Sequence, residues 1–404
     1  MPRSGVLVLA IVFVTLGLVY GLWYSYSVLL VALLREMAWS RSAVAGAFSI
    51  MLLVHGAAGP GLGWVISRVG PRRVLMGGGL TLGAALVLAA ETREPWHFYA
   101  AFGVLGGLGI SASGWVPSVL IVRQWMAARI GTAVGISSAG IGVGMFALVP
   151  LVQALIDRLG LRWTLRVLGV LLAGWIVGAA SWLPRDREPA VAPAAARTPE
   201  ARGPQWTLLA AVRSKRFWGL AAVFGCGSFA TQMLLVHQVA YLVDHGVSAS
   251  EAAVVGGLVG LASIPGKAGW GALSDRVGRE LAYTLAFACV VASVGLLRLA
   301  GHHPESGLPY AYAVMIGVGY AVTAPLTPAV ASDLFAGPRF PTIFGTLHVF
   351  NSLGGAVGAW AAGWTFDATG GYGAALLAAA GLAALAPTLL WLVAPRRPNP
   401  PPAV

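Results

Sequence analysis

Charge is scarce in this chain of 404 residues: 10% are Asp, Glu, Lys or Arg, against about 25% in an ordinary soluble domain. Hydrophobic residues make up 58% and the mean hydropathy is +0.79, which excludes a water-solvated globular surface. Cysteine is almost absent. Cys226 and Cys289 stand singly in separate apolar runs, so neither a disulfide framework nor a zinc site is expected. No phosphate loop, Ser-His-Asp arrangement or HExxH helix occurs, and His302-His303 has no further ligands nearby. Enzymatic and ATP-driven readings therefore have no residues to stand on, and no cofactor is expected.

What the chain has in abundance is long apolar runs, and a span needs roughly 20 such residues to cross about 30 Å of hydrocarbon. Twelve are read at 5–34, 42–67, 74–90, 97–122, 130–156, 163–183, 217–243, 250–273, 281–300, 308–332, 342–366 and 372–394. All are expected to be helices, because an open strand would leave backbone groups unpaired in lipid. The first run is about 30 residues long and lacks a small-x-small cleavage site, so it reads as retained rather than as a signal peptide.

Arginine sets the orientation. With the N-terminus in the cytoplasm, the inner segments hold 18 basic residues and the outer ones 7, with Lys267 left inside a helix. The positive-inside rule then puts both termini in the cytoplasm. The net charge of +12 reads as topology and contact with anionic lipid; no basic run interleaved with aromatics points to nucleic acid. The one long polar stretch, 184–216, is rich in Pro, Ala and Arg and reads as a linker between a six-helix half (1–183) and a second one (217–394). The tail, 395–404, reads as disordered.

A duplicated six-helix unit predicts motifs recurring about half a chain apart, and three do. Gly63-x-x-x-Ser67-Arg68-x-Gly70 matches Gly271-x-x-x-Asp275-Arg276-x-Gly278 at an offset of 208. Gly131-Thr132, Gly140 and Gly144 match Gly345-Thr346, Gly354 and Gly358 at 214, and Asp157-x-x-Gly160 matches Asp367-x-x-Gly370 at 210. Pairs such as Gly59/Gly63, Gly140/Gly144, Gly256/Gly260 and Gly354/Gly358 are spaced for close helix approach.

The loop pattern at Gly271, Asp275, Arg276, Gly278 and Arg279 resembles the signature of the major facilitator superfamily. The first-half copy departs from it with Ser67 in place of the acid. Within that superfamily, "WYSYSVLLVALLREMAWSRSAVAGAFS", "RQWMAARIGTAVGISSAGIGVG" and "GTLHVFNSLGGAVGAWAAGWTFDATGGY" are similar to the monocarboxylate transporters and their bacterial relatives, which include oxalate/formate exchangers. The resemblance implies an all-α membrane protein of twelve helices in two halves that rock around a midplane site. It also implies an Arg in helix 8, an Asp one turn earlier and a Lys in helix 1. This chain has Lys267, Ser263 and the run Tyr24, Ser25, Tyr26, Ser27 there.

Lys267 is the sharpest candidate. It lies roughly 12 Å up its helix from Asp275 at 1.5 Å per residue, and none of the 14 acids falls at that depth. A central cation costs roughly 2.5–3.5 kcal/mol on insertion scales, so an anionic substrate is its natural partner. Of the 26 basic residues only Lys215 and Lys267 are lysines. A lysine, unlike an arginine, can exchange its proton, so anion and proton are expected to travel together.

Further substrate-site candidates are Tyr24, Tyr26, Ser111, Trp115, Gln232, His237, Tyr320 and Asn351, with His55, Ser113 and His348 as weaker ones. His237 is also a candidate proton carrier. Arg68, Arg72, Arg123, Asp275, Arg276 and Arg279 are the candidate gating charges of the cytoplasmic end, where Arg can reach a neighbouring helix's carbonyls and Asp can pair with it.

The expected protein is a secondary transporter of small monocarboxylates such as lactate or pyruvate, proton-coupled, monomeric, in a bacterial inner membrane. Its expected partners are the anion, protons and the bilayer. An organic-anion exchanger, an efflux carrier of an amphipathic compound and a non-transporting sensor are the competing readings.

Overall fold

The computed structural model describes residues 3–126, 130–183 and 206–393. Residues 184–205 of the expected linker and the tail from 394 lie outside the described residues. The rest of the linker is ordered as a short helix, α9 (Leu208–Arg213), whose N-terminus is closed by the Thr207 hydroxyl accepting from the Ala210 N–H at 3.1 Å.

Among the described residues the fold is entirely helical. The first eight elements are α1 (Arg3–Tyr24), α2 (Tyr26–Met37), α3 (Arg41–Val69), α4 (Pro71–Ala90), α5 (Pro95–Phe98), α6 (Gly107–Ser113), α7 (Trp115–Met126) and α8 (Ile130–Trp182). A π-helical stretch, Tyr99–Gly106, joins α5 to α6. After α9 come α10 (Lys215–Asp244), α11 (Ala249–Val277), α12 (Arg279–His302), α13 (Leu308–Tyr320), α14 (Thr323–Phe335), α15 (Phe340–Thr369) and α16 (Gly373–Val393). Among the described residues ten segments are long and apolar enough to cross a membrane.

α8 is two helices joined at Gly160, where φ 76° and ψ 165° leave the helical region. Its first part runs beside α1 in the same direction, Gly140 facing Phe13 and Gly144 facing Gly17; its second runs against α4, with Gly169 at Gly83 and Ile176 at Gly79. Since α1 and α4 both lead away from the chain termini, α8 goes out and comes back. The end of the bundle opposite the termini is called the distal end below.

The sequence repeat returns as repeated geometry. Gly70 and Gly278 both sit between two helices at positive φ (84° and 93°) with ψ 153° and 156°, a region where a Cβ is strained. Gly354 and Gly358 face Gly225 and Phe229 of α10 as Gly140 and Gly144 face α1. At Gly144 the partner backbone leaves no room for a Cβ. With hydrocarbon on both sides of the comparison, such close backbone approach supplies the packing that holds these helices together.

Side chains facing away from the bundle are apolar: Val170 and Leu171 are 66% and 62% exposed, which suits lipid and not water. Exposed tryptophans form two belts, Trp96, Trp163 and Trp364 distally and Trp64, Trp182 and Trp218 near the termini, where an amphipathic ring prefers the membrane interface.

Helices α1–α8 and α9–α16 meet along α3 against α15, α8 against α11 and α2 against α10. These contacts run from the distal end to mid-depth. Arg41 and Ser42 touch Gly363, the Ser49 hydroxyl donates to the Ala356 carbonyl at 2.7 Å, and Gly142 meets Gly260. Toward the termini the two sets part: a Cβ at Gly59, Gly63, Gly131, Gly135, Gly269 or Gly345 would meet nothing within 4 Å. The bundle is therefore closed distally and open on the side of the chain termini.

Candidate functional site

Three of the crossing segments are interrupted near mid-depth. α1 gives way to α2 at Ser25, α6 to α7 at Gly114 (φ −91°, ψ −134°), and α13 to α14 at Ala321–Val322. Ser25, Ala321 and Val322 keep right-handed helical angles, so those interruptions are bends, whereas Gly114 leaves the helical region; a break of that kind inside a membrane is tolerated where it lines a cavity, since freed backbone groups need partners.

The breaks converge. Tyr20 reaches Gly114 and the Trp115 backbone, and the rings of Tyr24 and Tyr320 lie 6.3 Å apart across the gap between the two helix sets. The Tyr320 hydroxyl approaches those of Tyr24 and Ser263, yet it is buried with no hydrogen bond of good geometry. The Ser263 hydroxyl instead donates to the Gly260 carbonyl at 2.7 Å.

Lys267 stands one turn beyond Ser263 on α11, next to Gly266, which packs on Ala321 at the α13–α14 break. Pro265, inside the same helix, has no N–H and so withdraws the usual donor from the carbonyl of Leu261 one turn back. Lys267 is partly buried, about 15 Å from the Val277 end of its helix at 1.5 Å per residue. It has no acid or hydrogen-bond acceptor among the described residues. A lone cation, a bare phenol and interrupted backbone in one cleft make a place for a small anion.

Other predicted residues fall in different surroundings. Trp115 and Asn351 are partly buried, and Gln232 lies against Gly355 where α10 packs on α15. Ser111 donates to the Gly107 carbonyl and accepts from the His55 Nδ1–H at 2.9 Å; His55 also meets the edge of Trp23. Ser113 is buried and bonded to the Gly109 carbonyl. Tyr26 is 1% exposed, packed on Phe48 and Phe102 with its hydroxyl donated to the Val44 carbonyl. It belongs to the packing of α2 on α3, away from the cleft.

His237 is also buried, about 10 Å from the distal end of α10 at 1.5 Å per residue, well above the depth of Lys267. Its Nε2–H donates to the Ala359 carbonyl at 2.8 Å, so Nδ1 is left to accept from the Tyr372 hydroxyl at 3.0 Å. Tyr372 in turn accepts from Arg41 Nη1 at 2.7 Å.

The six predicted gating residues lie at the end near the termini and none reaches across to the other helix set. Arg72 donates to the carbonyls of Ala180 and Ser181, capping α8. Arg68 lies over the Trp64 ring at 4.0 Å, while Ser67, in the place of the acid, bonds only the Trp64 carbonyl of its own turn. Arg279 binds Asp275 at 2.6 Å and Asp333 at 3.4 Å, tying α11 to α14. Arg123 and Arg276 are exposed.

Polar contacts across the two helix sets sit distally, on residues outside the predicted gating set. Asp367 accepts from the Arg41 and Ser42 N–H groups at 3.0 and 2.8 Å, and Arg41 Nη2 pairs with Asp244 at 2.8 Å. The Arg41 guanidinium also lies 3.8 Å over the Phe366 ring. Asp157 accepts from the Ser250 hydroxyl at 3.1 Å. Partial burial pushes the Asp367 carboxyl up, but donation from Ser42, Arg41 and Ser40 outweighs it and holds the group below its usual value of 3.8. Asp157 and Asp367 are the acids of the repeated D-x-x-G, which is the signal that could have found them.

The model of the Major Facilitator Superfamily matches residues 12–304 and 270–404. Monocarboxylate transporter 3 of Rattus norvegicus is 29% identical over 374 residues, covering 91% of this chain and 75% of the relative. Monocarboxylate transporter 13 of the same organism is 25% identical over 90% of this chain and 82% of its own length. An MFS-type transporter of Bacillus subtilis (strain 168), YcxA, is 25% identical over 82% of this chain and 81% of its own. The crystal structure of the nucleoside transporter NupG superposes with a TM-score of 0.78 over 97% of this chain and all of its own, at 12% identity; that likeness is one of fold. A chain matched by the family model over nearly its whole length, built from long apolar helices that open a cleft to one side, belongs to the major facilitator superfamily and is a multi-pass membrane transporter.

Proposed function

We propose that the protein carries small monocarboxylates through alternating access, with Lys267 as the anion-binding cation. The supporting observation is that Lys267 stands without a partner in the cleft where the breaks after α1, α6 and α13 meet. Tyr24 and Tyr320 face each other across the same gap, and relatives named monocarboxylate transporters agree with an anion of this size.

In this reading the two parts of α8 count as separate crossings and α15 is added to the ten apolar segments, giving twelve. The halves are 1–183 and 217–394, both termini are cytoplasmic by the arginine balance, and the membrane is a bacterial inner membrane. The conformation is then inward-open, with the distal end outside.

Proton coupling rests on the choice of lysine, which can take up a proton with the carboxylate and release both together. One observation favours exchange instead: where the resemblance implies an Asp one turn before the cation, this chain has Ser263, already bonded to its own helix. The test is uptake of labelled lactate, pyruvate and related acids into proteoliposomes with an inward proton gradient, beside Lys267→Ala. Gradient-driven uptake lost in the variant supports symport through Lys267. Uptake that needs preloaded internal anion supports exchange, and normal uptake by the variant overturns the site.

A further inference from the structure

The distal closure is built twice, in the same way. At one place an acid in the last turn of α15, Asp367, takes the first N–H groups of α3; at the other an acid in the first part of α8, Asp157, takes the Ser250 hydroxyl in the first turn of α11. The two acids come from the same repeated motif. The two helix starts also correspond: Ser40 caps α3 by accepting from the Ala43 N–H at 3.2 Å, and Ser248 caps α11 by accepting from the Glu251 N–H at 3.2 Å. Each acid lies on the opposite helix set from the start it holds.

The two arms differ in strength. Asp157 offers its other oxygen to Gln153 of its own helix at 2.7 Å, so one hydroxyl bond is all it sends across. The Asp367 arm adds Arg41, whose side chain is 14% exposed and spreads over Asp244, Tyr372 and the Phe366 ring. Tyr372 passes the connection on to His237, which is thereby held with Nδ1 as an acceptor.

We infer that Asp157 and Asp367 are the paired gate residues of the distal end, with Arg41 as the positioning residue of the stronger arm. His237 belongs to this gate rather than to the anion site. This assignment rests on the alternating-access reading and not on which substrate is carried. The charged and titratable groups facing the gate are Arg41, Asp244, Asp367, Tyr372 and His237 on the α3/α15 side, and Asp157 with Glu251 on the α8/α11 side.

The test needs no substrate, so it stands apart from the carboxylate assay. In full-length protein with Cys226→Ser and Cys289→Ser, cysteines placed at Arg93 and His303, both exposed distally, carry spin labels whose separation is measured in nanodiscs. The parent should give mainly one short distance. Asp367→Asn and Arg41→Gln should each raise the ratio of long to short distances by about five- to tenfold, the scale expected for losing charge-assisted hydrogen bonds. Asp157→Asn should raise it less, and Asp157→Asn with Asp367→Asn most. Asp333→Asn, at the opposite end, is the control and should leave it unchanged. Tyr372→Phe removes a single hydroxyl and serves where Arg41→Gln is poorly folded. An unchanged distribution in folded Asp367→Asn and Tyr372→Phe, or an equal shift in the control, overturns the assignment.

Discussion

Gly70 and Gly278, half a chain apart, hold the same backbone angles to within about 10°, each as the C-cap of one helix and the N-cap of the next. The correspondence extends to Gly144 on Gly17 and Gly358 on Phe229, so the two halves of the sequence repeat a packing scheme as well as a motif. Its cost falls on residues that cannot carry a side chain.

Gly144→Ala should lower the unfolding temperature in detergent by several degrees, because a Cβ there meets the Gly17 backbone and overpacking costs roughly 1–3 kcal/mol. Gly174→Ala, also in α8 but with nothing within 4 Å, should be neutral or raise it, since Ala gains about 1 kcal/mol over Gly in a helix interior. Equal effects from the two would show that the close approach to α1 is not what holds α8.

Lys267→Ala or Lys267→Gln should abolish anion uptake while leaving insertion and thermal stability intact, as the side chain has no partner among the described residues to lose. Lys267→Arg should still bind the anion but uncouple it from the proton gradient, because arginine keeps its charge. Normal gradient-driven accumulation by the Arg variant would remove the lysine's special role.

Tyr320→Phe should weaken anion binding by about five- to tenfold, the worth of one hydrogen bond of about 1–1.5 kcal/mol. Its hydroxyl is buried with no hydrogen-bond partner among the described residues, so the protein should be no less stable for losing it. A binding titration beside a melting curve separates the two: unchanged affinity would place the phenol outside the anion site.

Acidification gives a signed test of the distal contacts. Asp367 has its depressed pKa only while its donors on α3 are in place, so its contribution to closure is full above its usual value of 3.8 and is lost as pH falls through the lower value. The closed distance population should therefore survive neutral and mildly acidic buffer and give way only in strong acid; in Asp367→Asn this acid step should disappear.

The twofold plan and the central cation could be read from the sequence for a shared reason: both are written in rare residues. A glycine at positive φ between two helices leaves a G-x-x-x-[DS]-R-x-G trace, and one lysine in a long apolar run stands out whether it serves a site or snorkels to the interface. Tyr26 was misleading because an aromatic beside a helix break looks the same whether it turns to the cleft, as Tyr24 does, or onto Phe48. Arg41 was counted as loop charge, since its partners Asp244 and Asp367, at the ends of α10 and α15, and Tyr372, between α15 and α16, are distant in sequence and only the folded bundle brings them together. The charges of the end near the termini were legible as positions but not as pairs: Arg72 and Arg279 bond within their own helix set in this conformation.

The unequal strength of the two distal arms has a directional consequence. With α3 pinned to α15 through Arg41 and α8 tied to α11 by a single hydroxyl bond, separation of the halves should start at the α8/α11 seam and pivot about the other. That seam runs down α11 to Lys267. A solute arriving from the distal side would then first meet the helix that carries the cation, and the path in would be lopsided even though the scaffold around it is nearly symmetric.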